Sequence, residues 1–150
     1  MTLSRAWPLL CLIGVGACGS KPACRQIESK GKSAVSWAST AEMIAQRWDA
    51  GDVPTFYARH TLAKGEQQIR SATMKLEQAQ DGNAAPALAA RARYQQLAAT
   101  LSRLDAAIAK GDRSEIAGLA AGLPVIGKQL GALRDQCRAQ DQARSGKRAS

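Results

Sequence analysis

Few side chains in this sequence carry reactive chemistry. They are the thiols of Cys11, Cys18, Cys24 and Cys137, the imidazole of His60, and the thioethers of Met43 and Met74. Thiolates and imidazoles are the natural ligands of zinc, but a closed site needs four of them at short spacings. With one histidine, no Cys-x-x-Cys and no His-x-x-x-His, the ligand set falls short, and neither a metal nor another cofactor is expected. The Cys-x-x-Cys-His attachment of haem is absent, as is the Glu-x-x-His pattern of di-iron bundles. The chain also lacks a Gly-x-Ser-x-Gly elbow, a phosphate loop and a paired-carboxylate cleft, so no catalytic residue is assigned and an enzyme is argued against. Cysteine chemistry of another kind is left.

Residues 1–17 deliver one of those cysteines. A basic head with Arg5 is followed by an apolar run over residues 9–18 that small residues close. That is the layout of a secretory signal, too short to span a bilayer as a mature helix. Its last four residues, Val15-Gly16-Ala17-Cys18, resemble the lipobox of bacterial lipoproteins. The resemblance implies that residues 1–17 are removed and that Cys18 becomes an acylated first residue, so membrane lipid is its first partner. Gly19 follows the cysteine where many inner-membrane lipoproteins carry Asp, and the family's sorting rule then implies the periplasmic face of the outer membrane. Cys11 leaves with the leader. Cys24 and Cys137 remain as one pair, and in an oxidising compartment such a pair is expected to form a disulfide.

The elements that must bring those two together are legible as periodicity. After a Gly-Ser-Lys-Pro tether over residues 18–23, small and apolar residues step by three and four through Cys24, Ile27, Gly31, Ala34, Ala38, Ala41, Ala45 and Trp48. Such a stripe is one face of a helix. A second stripe runs Ala58, Leu62, Gly65, Ile69, Ala72, Leu76, Ala79, and a third runs Ala87, Ala90, Tyr94, Leu97, Leu101, Leu104, Ile108. The fourth is Ile116, Leu119, Leu123, Ile126, Leu130, Leu133, Cys137. Gly51 and Gly111 suit left-handed helix ends, Asp52 and Asn83 suit N-caps, and Asp112-Arg113-Ser114-Glu115 reads as a capping box. Pro54 and Pro86 fit first turns. The expected fold is all-α: an antiparallel up-down-up-down four-helix bundle with short turns over residues 24–138, followed by a basic disordered tail over residues 139–150. In that topology Cys24 and Cys137 fall at one end, which supports the disulfide independently.

Two features of the last helix stand out. Pro124 removes a backbone donor in mid-helix, and a kink is expected there. Gly118, Gly122, Gly127 and Gly131 form two Gly-x-x-x-Gly pairs, read as close approach to an Ala-rich neighbour. A membrane span is disfavoured because Lys128 and Gln129 interrupt the apolar run, which is also read as too short. His60 points away from its stripe as a solvated histidine, while Met43 and Met74 lie beside theirs as packing at a helix flank.

Charge and aromatic residues then divide the bundle's two ends. The chain has 21 basic and 12 acidic residues, and loss of the leader removes only Arg5, leaving +8. Lys21, Arg25, Lys30 and Lys32 against Glu28, and Arg138, Arg144, Lys147 and Arg148 against Asp141, make two +3 segments at the lipidated end. Anionic lipid head groups are the expected counter-charge. Nucleic acid is disfavoured by the compartment, although the basic charge alone would permit it. At the far end Trp48, Val53, Phe56 and Tyr57 are the candidate partner-binding residues, with capping of the core as their alternative role. These readings converge on a non-catalytic binding or scaffolding module, by analogy of architecture a pilotin-like escort of an envelope protein. The rival is a carrier of lipid or another apolar ligand inside the bundle.

Overall fold

Each stripe predicted from the sequence is the buried face of a helix in the computed structural model, which describes residues 22–79 and 81–146, with side chains through residue 143. The elements are α1 (Ala23–Asp49), α2 (Thr55–Glu77), α3 (Ala85–Lys110) and α4 (Arg113–Gly146), with no strand among the described residues. They pack as a four-helix bundle. Ala34, Ala38, Ala41 and Ala45 of α1, Leu62 and Ile69 of α2, Leu97, Leu101 and Leu104 of α3, and Leu123 and Leu130 of α4 are all buried in one core. Burying each large aliphatic side chain is worth about 1.5–3 kcal/mol, and α3 and α4 supply most of those leucines. α1 packs most closely on α4 and α2 on α3, while α1 also meets α3 across the diagonal; among the described residues α2 and α4 do not meet. Alanines on the α1 and α3 stripes explain the short diagonal, since small side chains let two helix axes approach.

Cys24 and Cys137 form the expected disulfide, with their Cα atoms 5.1 Å apart, within the ordinary range for such a bridge. At the other end of α1, the Asp49 carboxylate faces Arg113 at the start of α4, 3.5 Å away. Arg59–Asp105 and Arg91–Glu77 join α2 to α3, and Arg103–Glu115 joins α3 to α4. Exposed pairs like these add little stability individually, about 0–1 kcal/mol each, but they record which helix ends are neighbours.

The helix ends follow the expected glycines more closely than the expected caps. Gly111 terminates α3 at φ 71° and Gly51 turns at φ 81°, the left-handed conformation that costs a residue without Cβ nothing. Asp112 accepts a hydrogen bond from the Glu115 amide at 3.0 Å, half of the expected capping box; the Glu115 carboxylate turns to Arg103 instead. Asp52 does not cap α2. It pairs with Arg47 at 2.9 Å, and Pro54 occupies the N-cap position. Asn83 does not cap α3 either, whose N-cap is Ala84, although Pro86 does lie in the first turn. Asp81 acts across the fold: its carboxylate accepts the Ala23 amide, placing negative charge at the N-terminus of α1 where the helix dipole favours it.

Three expectations need correcting. The helix does not end at Arg138 in a disordered tail; α4 continues to Gly146. Residues 139–144 contain alanine, glutamine and arginine, good helix formers, with no glycine or proline before Gly146, and Gln140 Oε1 lies 3.6 Å from the Cys24 sulfur. Residues 147–150 of that tail lie outside the described residues. Glycine spacing in α4 is the second: only Gly127 approaches a neighbour, with Ala38 Cβ at 3.5 Å from where its own Cβ would stand, while Gly118, Gly122 and Gly131 face open space. Close approach falls instead to Gly65, where a Cβ would stand 2.7 Å from the Trp37 ring of α1. The third concerns length. By length and composition α4 is apolar enough to cross a membrane, with a mean hydropathy of 1.4 in its best window. Ile116, Leu123, Ile126 and Leu130 of α4 are nonetheless buried in the bundle. Pro124 sits inside the continuous helix, on its exposed side.

Candidate functional site

The turn between α1 and α2 presents the four aromatic-end candidates, and burial separates them into two pairs. Trp48 and Val53 are half-buried against the core, and the Trp48 indole N–H donates to Thr55 Oγ1 at 3.0 Å. This pair closes the end of the core. Phe56 and Tyr57 point outward from the first turn of α2, with relative exposures of 81% and 55%. Core capping therefore falls to Trp48 and Val53, while Phe56 and Tyr57 are left exposed.

Phe56 is not isolated. One helical turn on, the His60 ring stacks on it with centroids 6.1 Å apart and planes 19° from parallel. Residues four apart share a helix face, which is why the two rings meet. Between them and α3 lies a shallow cleft of about 490 Å³, lined by Thr55, Phe56, Arg59, His60, Ala63 and Asp105. Arg59 Nε donates to Asp105 Oδ1 at 2.9 Å, and a second guanidinium nitrogen reaches Oδ2 at 3.4 Å. That hydrogen bond, reinforced by the carboxylate charge, raises the Arg59 pKa above its ordinary value. The pair spans α2 and α3 along the cleft wall. An aromatic stack beside a planar ion pair can accept an apolar or aromatic side chain and hydrogen-bond its backbone. Nothing in the arrangement activates a nucleophile. Sequence reasoning missed Arg59 and Asp105 because their partnership depends on α2 and α3 lying side by side.

The basic candidates gather around the disulfide end only in part. Arg25 and Lys32 are exposed and Lys30 is half-buried on α1. Arg138 is exposed on α4, and its guanidinium bonds to Glu28 of α1 at 3.2 Å, so one cation and the only acid of the first segment are spent on each other. Arg144 lies in α4, though its side chain is outside the described set; Cys18, Lys21, Lys147 and Arg148 lie outside the described residues. Met43 and Met74, expected to pack at helix flanks, are instead more than half exposed. Among the described residues, no group of three His, Cys, Asp or Glu could hold a metal ion. Comparison with protein-family models, curated proteins and solved structures finds no match to the chain.

Proposed function

We propose that this chain is an exported lipoprotein, held by acylated Cys18 at the periplasmic face of an outer membrane, whose bundle captures an envelope protein at its free end. The helices would run up, down, up and down. Cys24–Cys137 at one end and Asp49–Arg113 at the other support that order, because both pairs join α1 to α4. The lipid anchor then lies at the disulfide end, and the Phe56 end stands roughly 40 Å away, the length of α1 at about 1.5 Å per residue. The role is one of binding and escort, without catalysis.

The observation that carries the reading is Phe56, four-fifths exposed and stacked on His60 beside an ion pair. A large aromatic left in water at a turn gives the bundle no core packing, whereas aromatic side chains are enriched at the centres of protein interfaces. Changing Phe56 and Tyr57 together to Ser is expected to abolish partner capture by the membrane-anchored protein. Stability should stay within about 0.5 kcal/mol of wild type, as for other exposed positions. Loss of folding in that variant, or capture that survives it, would refute the proposed role of this end. The anchor has its own test. Mass spectrometry of the membrane fraction should find Cys18 as an acylated N-terminus, and an unmodified terminus on freely released protein would remove the anchor from the proposal. No observation favours the apolar carrier over this reading: the clefts flanking α2 are grooves between helix surfaces, and the interior is occupied by the leucine and alanine core.

A further inference from the structure

The lysines of this protein behave differently from its arginines. Among the described residues all eight ion pairs are made by arginine, and none uses a lysine. Two of those unpaired lysines, Lys30 of α1 and Lys75 of α2, line the same groove. It is a cleft of about 350 Å³ whose other polar walls are Ser29, Ser33, Gln68 and Ser71. Its apolar floor is Ile69 and Ala72, both buried in the core. No carboxylate lines it. The nearest acids in sequence, Glu28, Glu66 and Glu77, are held by Arg138, Arg70 and Arg91.

The groove has a structural cause. One turn or so farther along α1, Trp37 lies against Gly65 and acts as a spacer between α1 and α2. Beyond that spacer the facing positions are serines rather than large apolar residues, so the gap is not refilled. The Trp37 indole N–H also donates to Gln68 Oε1 at 2.8 Å. With its oxygen turned to the indole, Gln68 keeps its amide N–H groups free to donate. Two ammonium groups, an amide donor and serine hydroxyls around an acid-free hollow match a tetrahedral oxyanion, which accepts several hydrogen bonds at once.

We propose that this cleft binds a phosphate group on a small polar head, the chemistry shared by an anionic phospholipid head group and a free phosphate ester. The phosphate chemistry stands on the cleft alone, while the lipid as its source rests on the anchored reading above. Lys30 lies six residues past Cys24, roughly 9 Å along the helix from the disulfide end at about 1.5 Å per residue. A head group at the bilayer surface is therefore within reach of the cleft.

The Trp37 indole N–H resonance reports on the site, because its acceptor is a cleft residue. The full processed chain is placed in phosphatidylglycerol nanodiscs and in phosphatidylcholine nanodiscs. The phosphatidylcholine sample is also titrated with glycerol 3-phosphate and with inorganic phosphate. The resonance is expected to move with phosphatidylglycerol or with the soluble phosphates. The Lys30→Gln/Lys75→Gln double variant should weaken that response about tenfold or more, as loss of two charge-assisted contacts requires. A charge-matched Lys64→Gln/Lys110→Gln variant should leave it within about twofold. Gln68→Glu, which swaps the donor for a negative acceptor, should abolish it. A response to phosphatidylglycerol alone assigns the lipid as source, and a response to the soluble phosphates alone assigns a free ester. The proposal is overturned if no probe moves the resonance, or if both double variants weaken binding equally, since diffuse charge would then explain it. Acylation of Cys18 is read separately, so failure of the anchor and failure of the cleft are distinguishable.

Discussion

Replacing Cys137 with Ser is expected to lower the unfolding free energy by about 4–5 kcal/mol. The bridge closes a loop of 113 residues, and the loop-closure entropy removed from the unfolded chain grows with the logarithm of that length. Cys137 is also 1% exposed, so the variant leaves a serine hydroxyl at a buried position beside a free Cys24 thiol. A domain of this size has only about 5–15 kcal/mol in total, so the bridge decides whether the bundle is robust or marginal. Denaturant unfolding of wild type, of Cys137→Ser and of Cys24→Ser, each with and without reductant, measures this. Both variants should be indifferent to reductant, with Cys24→Ser close to the reduced wild type and Cys137→Ser no more stable than it. An oxidised wild type no more stable than the variants would show that the bridge constrains nothing the packed helices do not already hold.

The bridge and the helices it joins are legible in the sequence because each is a local pattern or follows from one. Four stripes define four helices, and the stripes carry Cys24 and Cys137 to one end. Trp48 and Phe56 are legible only as a cluster. Their division into core cap and exposed stack depends on where the turn at Gly51 aims the first turn of α2. Asp81 reads as a helix stop but not as the cap of α1, since the two are 58 residues apart in sequence and meet only through the fold. Residues 139–146 mislead for a different reason. They lack an apolar stripe because α4 outruns the bundle there, yet their helix propensity and the cap-free continuation from Cys137 keep them helical. Gly118, Gly122 and Gly131 share a spacing with true close-approach motifs but face open space, which spacing alone does not reveal. The Lys30–Lys75 cleft is invisible in the sequence for the same reason as the Arg59–Asp105 pair: each is assembled from two helices, and neither half is a motif.

Tyr94 should give the second large effect, and it is a pH effect. Its ring is 1% exposed in the centre of α3, and burial pushes its hydroxyl pKa from 10.0 up to about 12. Above pH 10 the unfolded chain begins to release this proton while the folded chain retains it, so the native state binds more protons and stability falls with rising pH. The contribution is fully present below pH 10 and lost as pH rises through about 12. Two pKa units correspond to about 2–3 kcal/mol. Tyr94→Phe has no proton to lose there. Every other ionisable group is common to both proteins, so the difference between their unfolding free energies isolates this residue. The gap should open in favour of the variant between pH 10 and 12. At neutral pH the variant should already be equal or better by about 1 kcal/mol, because the Tyr94 hydroxyl oxygen is buried without a hydrogen-bond partner among the described residues. A Tyr57→Phe background leaves Tyr94 as the only tyrosine, so tyrosinate absorbance then follows its ionisation directly. If that absorbance rises below the unfolding transition near pH 10, or if Tyr94→Phe loses stability at pH 7, the hydroxyl is solvated or bonded in the native bundle. The α3 face at Tyr94 would then be a polar opening into the core rather than part of its sealed interior.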